Sequence, residues 1–245
     1  MKFLATIALA SSTVSVQAGI TDLFCPPTPL EVDLNKYAGK WYEIAASYIP
    51  KLTFEKDCQC TTAEYELSKE YGNPFVKVKN TCTKKNTGEE NVAIGKATPV
   101  EVVSETGVTV GKLTVDFSGQ QQEGRKEAED AVAEAREEME ALAVNSESVT
   151  TKLRGKKTDR SGNYWIIYLS QDSDGNYETA VVGDPYKTTL FFLSRTPTIS
   201  DEEFERMKAA VRQNAYIIKL VGLIKTEQSE EVCGARDGAQ KALLW

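Results

Sequence analysis

The sequence predicts an all-β fold: an eight-stranded antiparallel up-and-down barrel with a C-terminal α-helix packed outside and an extra helical insertion between strands five and six. Three observations predict it. From Lys40 to Arg195 the chain runs in short stretches rich in β-branched and aromatic residues, broken by Gly, Pro, Asn and Asp. Several stretches alternate cleanly, as in Phe75-Val76-Lys77-Val78-Lys79-Asn80, which sets valines on one face and lysines on the other. The stretches follow one another as a meander, and closing a meander into a barrel removes its exposed edges.

The chain opens on a secretory pattern. Lys2 supplies a positive end, Phe3-Leu4-Ala5-Thr6-Ile7-Ala8-Leu9-Ala10 a short apolar run, and Val16-Gln17-Ala18 small residues for a peptidase. That run is too short to span a bilayer, and no cysteine follows the expected cut, which argues against a bacterial lipoprotein anchor. Residues 1–18 are therefore read as a signal peptide, 19–233 as one domain and 234–245 as a tail. The expected location is extracellular.

Strands are expected at 40–47, 59–68, 75–82, 92–99, 109–117, 163–170, 177–183 and 189–195. Turn residues sit between them, as at Tyr71-Gly72-Asn73-Pro74 and Asp172-Ser173-Asp174-Gly175-Asn176. Residues 119–161 interrupt the meander where a hairpin needs only a few residues. Glu123 to Ala143 is a strong helix former, and Ala128, Val132, Ala135, Met139 and Leu142 make a narrow apolar seam. The seam raises the expectation of docking, self-association or partner contact through this helix. The bland alternative is a solvated helix laced with charge pairs.

A second helix follows Thr198-Ile199-Ser200. Ser200 caps it, Glu203 completes a capping box, and Phe204, Met207, Ala210 and Val211 form one apolar stripe that packs on the barrel. Asn214 is its expected stop, and a strand-like run from Ile217 to Ile224 precedes Cys233.

Composition then limits function. The net charge of −7 argues against nucleic acid, which wants a basic face. The chain has no histidine, which excludes triads built on His, His-containing zinc sites and His-ligated haem. No cofactor and no metal site is expected, and the cysteine spacings lack the Cys-x-x-Cys pairs of structural zinc. In an oxidising compartment Cys25, Cys58, Cys60, Cys82 and Cys233 are disulfide candidates, with one left over. A hairpin about Tyr71-Gly72 sets Cys58 or Cys60 nearly opposite Cys82.

Gly39-Lys40-Trp41-Tyr42-Glu43-Ile44 is the most informative stretch. Together with Thr62-Ala63-Glu64-Tyr65, Val76-Lys77-Val78-Lys79-Asn80, Asn163-Tyr164-Trp165-Ile166-Ile167, Ala180-Val181-Val182-Gly183-Asp184-Pro185 and Leu193-Ser194-Arg195-Thr196-Pro197, it resembles the lipocalin family, in its apolipoprotein D and bacterial outer-membrane lipocalin branch. The resemblance runs from about Cys25 to Cys233, leaving out 119–161. It implies a lipocalin barrel that holds a small hydrophobic ligand: a fatty acid, lysolipid, sterol, retinoid-like compound or pigment. It implies that Gly39 and Trp41 close one end, with Arg195 over the indole. Phe191 falls on an aromatic ligand contact of the branch, Asn80 on another contact and Tyr65 on an inward tyrosine. Strand alternation adds Ala63, Val76, Val78 and Leu193 to the expected lining. The resemblance also implies the pairs Cys60–Cys233 and Cys58–Cys82 with Cys25 free, Cys82–Cys233 being the competitor. It sets the 119–161 insertion at the open mouth, as a lid or partner surface.

The expected function is a binding and transport protein rather than an enzyme. Two alternatives stand beside it. In a lipocalin-fold enzyme, Cys82 shares the face of Val78 and Asn80 and, if reduced, is an inward nucleophile. In an interaction protein, the 119–161 helix works and the barrel is filled.

Overall fold

A computed structural model describes residues 26–70, 72–118, 159–214 and 222–234. The expected signal peptide, Cys25 and the 123–143 helix lie outside the described residues.

The entry segment forms β1 (Glu31–Asp33) and a one-turn helix α1 (Leu34–Tyr37). The Asp33 carboxylate accepts the Asn35 amide at 2.9 Å, satisfying a first-turn donor, and Leu34 and Tyr37 turn inward. The barrel strands follow as β2 (Gly39–Ala46), β3 (Cys58–Glu70), β4 (Asn73–Lys84) and β5 (Glu90–Pro99). The expected 109–117 strand is split at Gly111 into β6 (Val108–Val110), which pairs with β1, and β7 (Lys112–Asp116), which stays in the barrel. Leu30 explains the split: its carbonyl accepts the Gly111 amide at 2.7 Å, and a side chain on Gly111 would meet it at 2.9 Å. Then come β8 (Tyr164–Gln171), β9 (Tyr177–Gly183) and β10 (Leu190–Ser194), and β10 pairs antiparallel with both β9 and β2. That last pairing closes an eight-stranded antiparallel barrel.

Alternation along the strands makes two cores. On β10, Leu193 and Phe191 face the barrel interior, where they meet Ala63, Val76, Val78, Ile166 and Val182. Leu190 and Phe192 face outward and join Trp165, Ile167 and Val181 under a helix. That helix is α3 (Asp201–Gln213), capped by Ser200, whose hydroxyl accepts the Glu203 amide at 3.1 Å. Met207 and Val211 are fully buried beneath it, each such side chain contributing about 1.5–3 kcal/mol. The expected capping box is only half formed. Instead of returning to Ser200, the Glu203 carboxylate accepts from Thr179 and Tyr168 on the barrel and ion-pairs Arg206. It fastens the helix to the wall. Asn214 is the C-cap.

Three elements have no counterpart among those expected from the sequence: β1, α1 and a short helix after β2. That helix, α2 (Tyr48–Leu52), lies in the β2–β3 connection. After α3, only the end of the expected 217–224 run is described; there, β11 (Ile224–Lys225) lies along β2. It takes the place β3 vacates, because β3 carries an extra residue between Gln59 and Thr62 and Cys60 adopts a φ of 54°. The Cys60 amide donates to Glu227, Thr226 donates to the Ile44 carbonyl, and Gln228 bridges the Glu43 and Thr61 carbonyls. Cys60 is bonded to Cys233, which staples the strip in place, and Cys58 to Cys82.

Candidate ligand-binding cavity

In an up-and-down barrel, alternate connections share an end. The segments 34–38, 100–107 and 172–176 gather at one end, with Arg195 just beyond β10. The connections after β2, β4 and β9 gather at the other, together with the described ends of the connection after β7. The first end is shut. Trp41 is fully buried, its indole N–H donates to the Tyr37 carbonyl at 2.8 Å, and the Arg195 guanidinium lies 3.8 Å from the ring centre. Arg195 also donates to the carbonyls of Lys36, Ala38, Lys40 and Tyr177. Gly39 passes beneath it at a φ of +97°, and a Cβ there would approach Nη1 to 3.3 Å.

Above this floor the barrel encloses a cavity of about 730 Å³. All seven residues named from the sequence border it: Ala63 and Tyr65 on β3, Val76, Val78 and Asn80 on β4, Phe191 and Leu193 on β10. Ala97, Leu113, Val115 and Phe117 extend the apolar wall. A volume of this size with a mostly apolar lining suits a small-molecule pocket.

The sequence reading missed two polar features of the wall. Low in the cavity, the Tyr164 hydroxyl meets Tyr37 at 2.7 Å and Tyr65 at 3.0 Å, and the Tyr37 and Tyr65 rings stack at 5.6 Å. Burial is the main reason that Tyr65 is pushed up to about 12 and Tyr37 and Tyr164 well above the usual phenol range. The three hydroxyls satisfy one another and stay neutral. Near the mouth stand Glu43, Glu55 and Thr61. Glu43 had a legible signal, since it lies two residues beyond Trp41 on the same face of β2. Glu55 had none, because its position depends on how the 47–57 segment folds over.

Also at the mouth, the Asp184 carboxylate accepts from the Tyr186 amide and from Thr188 and Thr189, holding the β9–β10 turn. The alternative of a reduced, inward thiol at Cys82 does not hold, and the implied Cys58–Cys82 pair is present. Cys82 borders the cavity, but its sulfur is bonded to Cys58 and is not a nucleophile there. A filled barrel is also ruled out by the cavity volume.

Comparison with known proteins gives concordant matches. A family model described as a lipocalin-like domain matches residues 32–153 and 108–228, which together cover most of the chain. The chain is 28% identical over 169 residues to the outer membrane lipoprotein Blc of Vibrio cholerae, covering 69% of this chain and 68% of that protein. It is 31% identical over 70 residues to temperature-induced lipocalin-1 of Arabidopsis thaliana, which is 29% of this chain and 34% of the plant protein. That match thus spans about a third of the relative's length. Among solved structures, insecticyanin from the tobacco hornworm Manduca sexta aligns over 85% of this chain and 88% of its own, at 16% identity and a TM-score of 0.46.

Proposed function

The chain belongs to the lipocalin family, and from that membership we propose that it is a secreted carrier that takes one small apolar molecule into its barrel. The cavity of about 730 Å³, shut at one end by Trp41 and Arg195, is the observation that carries this reading. Ala63, Tyr65, Val76, Val78, Asn80, Phe191 and Leu193 are the proposed ligand contacts. Burying a chain of methylenes against them would contribute about 0.8 kcal/mol per CH₂. The work is binding and release, with no bond made or broken.

Secretion is supported by the pattern from Lys2 to Ala18 and by the two disulfides, which persist in oxidising compartments. The division into a signal peptide (1–18), a barrel domain (19–233) and a tail (234–245) belongs to the same proposal. So does a lid or partner role for 119–161 at the open mouth.

The protein purified from its source should release a co-purifying apolar molecule on solvent extraction, and native mass spectrometry should show the matching mass increment. A lipid panel should quench tryptophan fluorescence. No extractable molecule and no quenching by any member would sink the carrier reading. N-terminal sequencing of secreted material should begin at Gly19.

A further inference from the structure

The mouth-side wall of the cavity holds two carboxylates against one ammonium. Glu43 is 3% exposed and accepts from both Lys51 of α2 and the Thr226 hydroxyl. Lys51 Nζ also lies 2.9 Å from Glu55 Oε2. Both carboxylates border the cavity. A surplus negative charge in a buried wall is unfavourable unless something answers it. Burial first, and then the charge of Glu43, push Glu55 up to about 8, so at neutral pH a proton answers it.

The neighbouring polar atoms need donors. Thr61 Oγ1 and Asn80 Oδ1 are buried and accept no hydrogen bond. Thr61 is 8% exposed and is fixed beside Glu43, since Gln228 Nε2 donates to the carbonyls of both, at 2.6 and 3.0 Å. Asn80 pairs with Ala63, two residues along β3 from Thr61.

We propose that Glu43, Glu55, Thr61 and Asn80 form the head-group subsite for an amphiphile whose polar end is a protonated amine. This rests on the carrier reading and narrows its ligand class. An ammonium brings the missing positive charge and three donors. A fatty-acid carboxylate brings a further negative charge and no donor. The other charged residues of the wall are Asp184, held within its own turn, and Arg160, whose guanidinium lies 5.0 Å from the centre of the Tyr186 ring. The phenols of Tyr37, Tyr65 and Tyr164 stay neutral throughout the range tested. Amine binding therefore expels the Glu55 proton to solvent, and affinity rises with pH until Glu55 is ionised without ligand.

The test measures binding of dodecylamine, dodecanol and dodecanoate to the full chain between pH 6 and pH 8, by calorimetry below their micellar concentrations. Dodecylamine, itself protonated throughout, should bind more than ~10-fold tighter than dodecanoate at pH 7. Its affinity should rise by up to ~10-fold per pH unit while that of dodecanol stays level. Glu55→Gln should bring amine and carboxylate to within ~3-fold of each other, and Thr61→Val should weaken the amine by ~3–10-fold. Should Glu55→Gln fail to fold, the wild-type pH profile and Thr61→Val decide. Equal or tighter binding of dodecanoate, a flat amine profile, or an amine preference surviving in Glu55→Gln overturns the inference while leaving the carrier reading intact. Failure of all three ligands, dodecanol included, overturns the carrier reading and this inference with it.

Discussion

Arg195 Nη1 donates to the Lys40 carbonyl at 2.9 Å while the same guanidinium lies 3.8 Å from the Trp41 ring centre, so one side chain ties the end of the last strand to the start of the first. Its planar fork serves several carbonyls at once, which an ammonium cannot imitate. Arg195→Lys should cost about 2–4 kcal/mol, from lost charged hydrogen bonds and a poorer ring contact. Urea unfolding checks this, and a loss below about 1 kcal/mol would show that the floor does not depend on the clamp.

The phenol group at Tyr37, Tyr65 and Tyr164 gives an alkaline signature. Their folded pKa values are raised above the unfolded value near 10. The stability they contribute is full below pH 10 and is lost as pH rises through about 12. Of the ten tyrosines, these three should ionise late, and on unfolding. A 295 nm titration in which all ten ionise together near pH 10, with the fold intact by circular dichroism, contradicts the arrangement.

The C-terminal strip depends on Cys60–Cys233. Cys233→Ser should lower stability by about 2–5 kcal/mol. It should also speed hydrogen exchange at Thr226 and Cys60, whose amides donate to Ile44 and Glu227. Unchanged exchange at those two amides would mean that the strip holds without its staple.

Filling the cavity separates binding from stability. Ala97 is buried on the inner wall, and Ala97→Trp places an indole where the ligand is proposed to lie. Affinity for whichever apolar ligand binds should fall at least ~10-fold. The melting temperature should move by only a few degrees, because the new ring occupies open volume rather than packed core. A cooperative collapse of the fold, or unchanged affinity, would contradict the assigned interior.

The barrel was legible because its strands advertise a face every second residue. The alternation Val76-Lys77-Val78-Lys79 gives the inner face directly, and Lys77 does meet Glu66 across the outer surface at 2.8 Å. What escaped were features made by distant partners. Helix α2 is five residues long, includes Pro50 and has no side-chain cap, so no local signal marks it. The strand-like run ending at Ile224 is legible but its partner is not: β11 lies along β2 because β3 bulges away at Cys60 and leaves the Ala45–Ala46 edge open. The Glu43–Lys51–Glu55 cluster is drawn from a strand and a loop helix. Spacing alone does not bring those three together. Residues 119–158 of the insertion and the expected signal peptide at 1–18 lie outside the described residues.

The Lys40–Arg195 contact spans 155 positions of sequence, and that separation governs how the barrel is made. Until β10 emerges from the ribosome, β2 lacks its closing neighbour and Trp41 lacks its cation. The growing chain is then an open sheet with two bare edges and an apolar inner face turned to water. Contacts of such long range slow folding and leave intermediates prone to aggregate. A chain cut short before Arg195 would remain in that condition, sticky along both edges and without a floor.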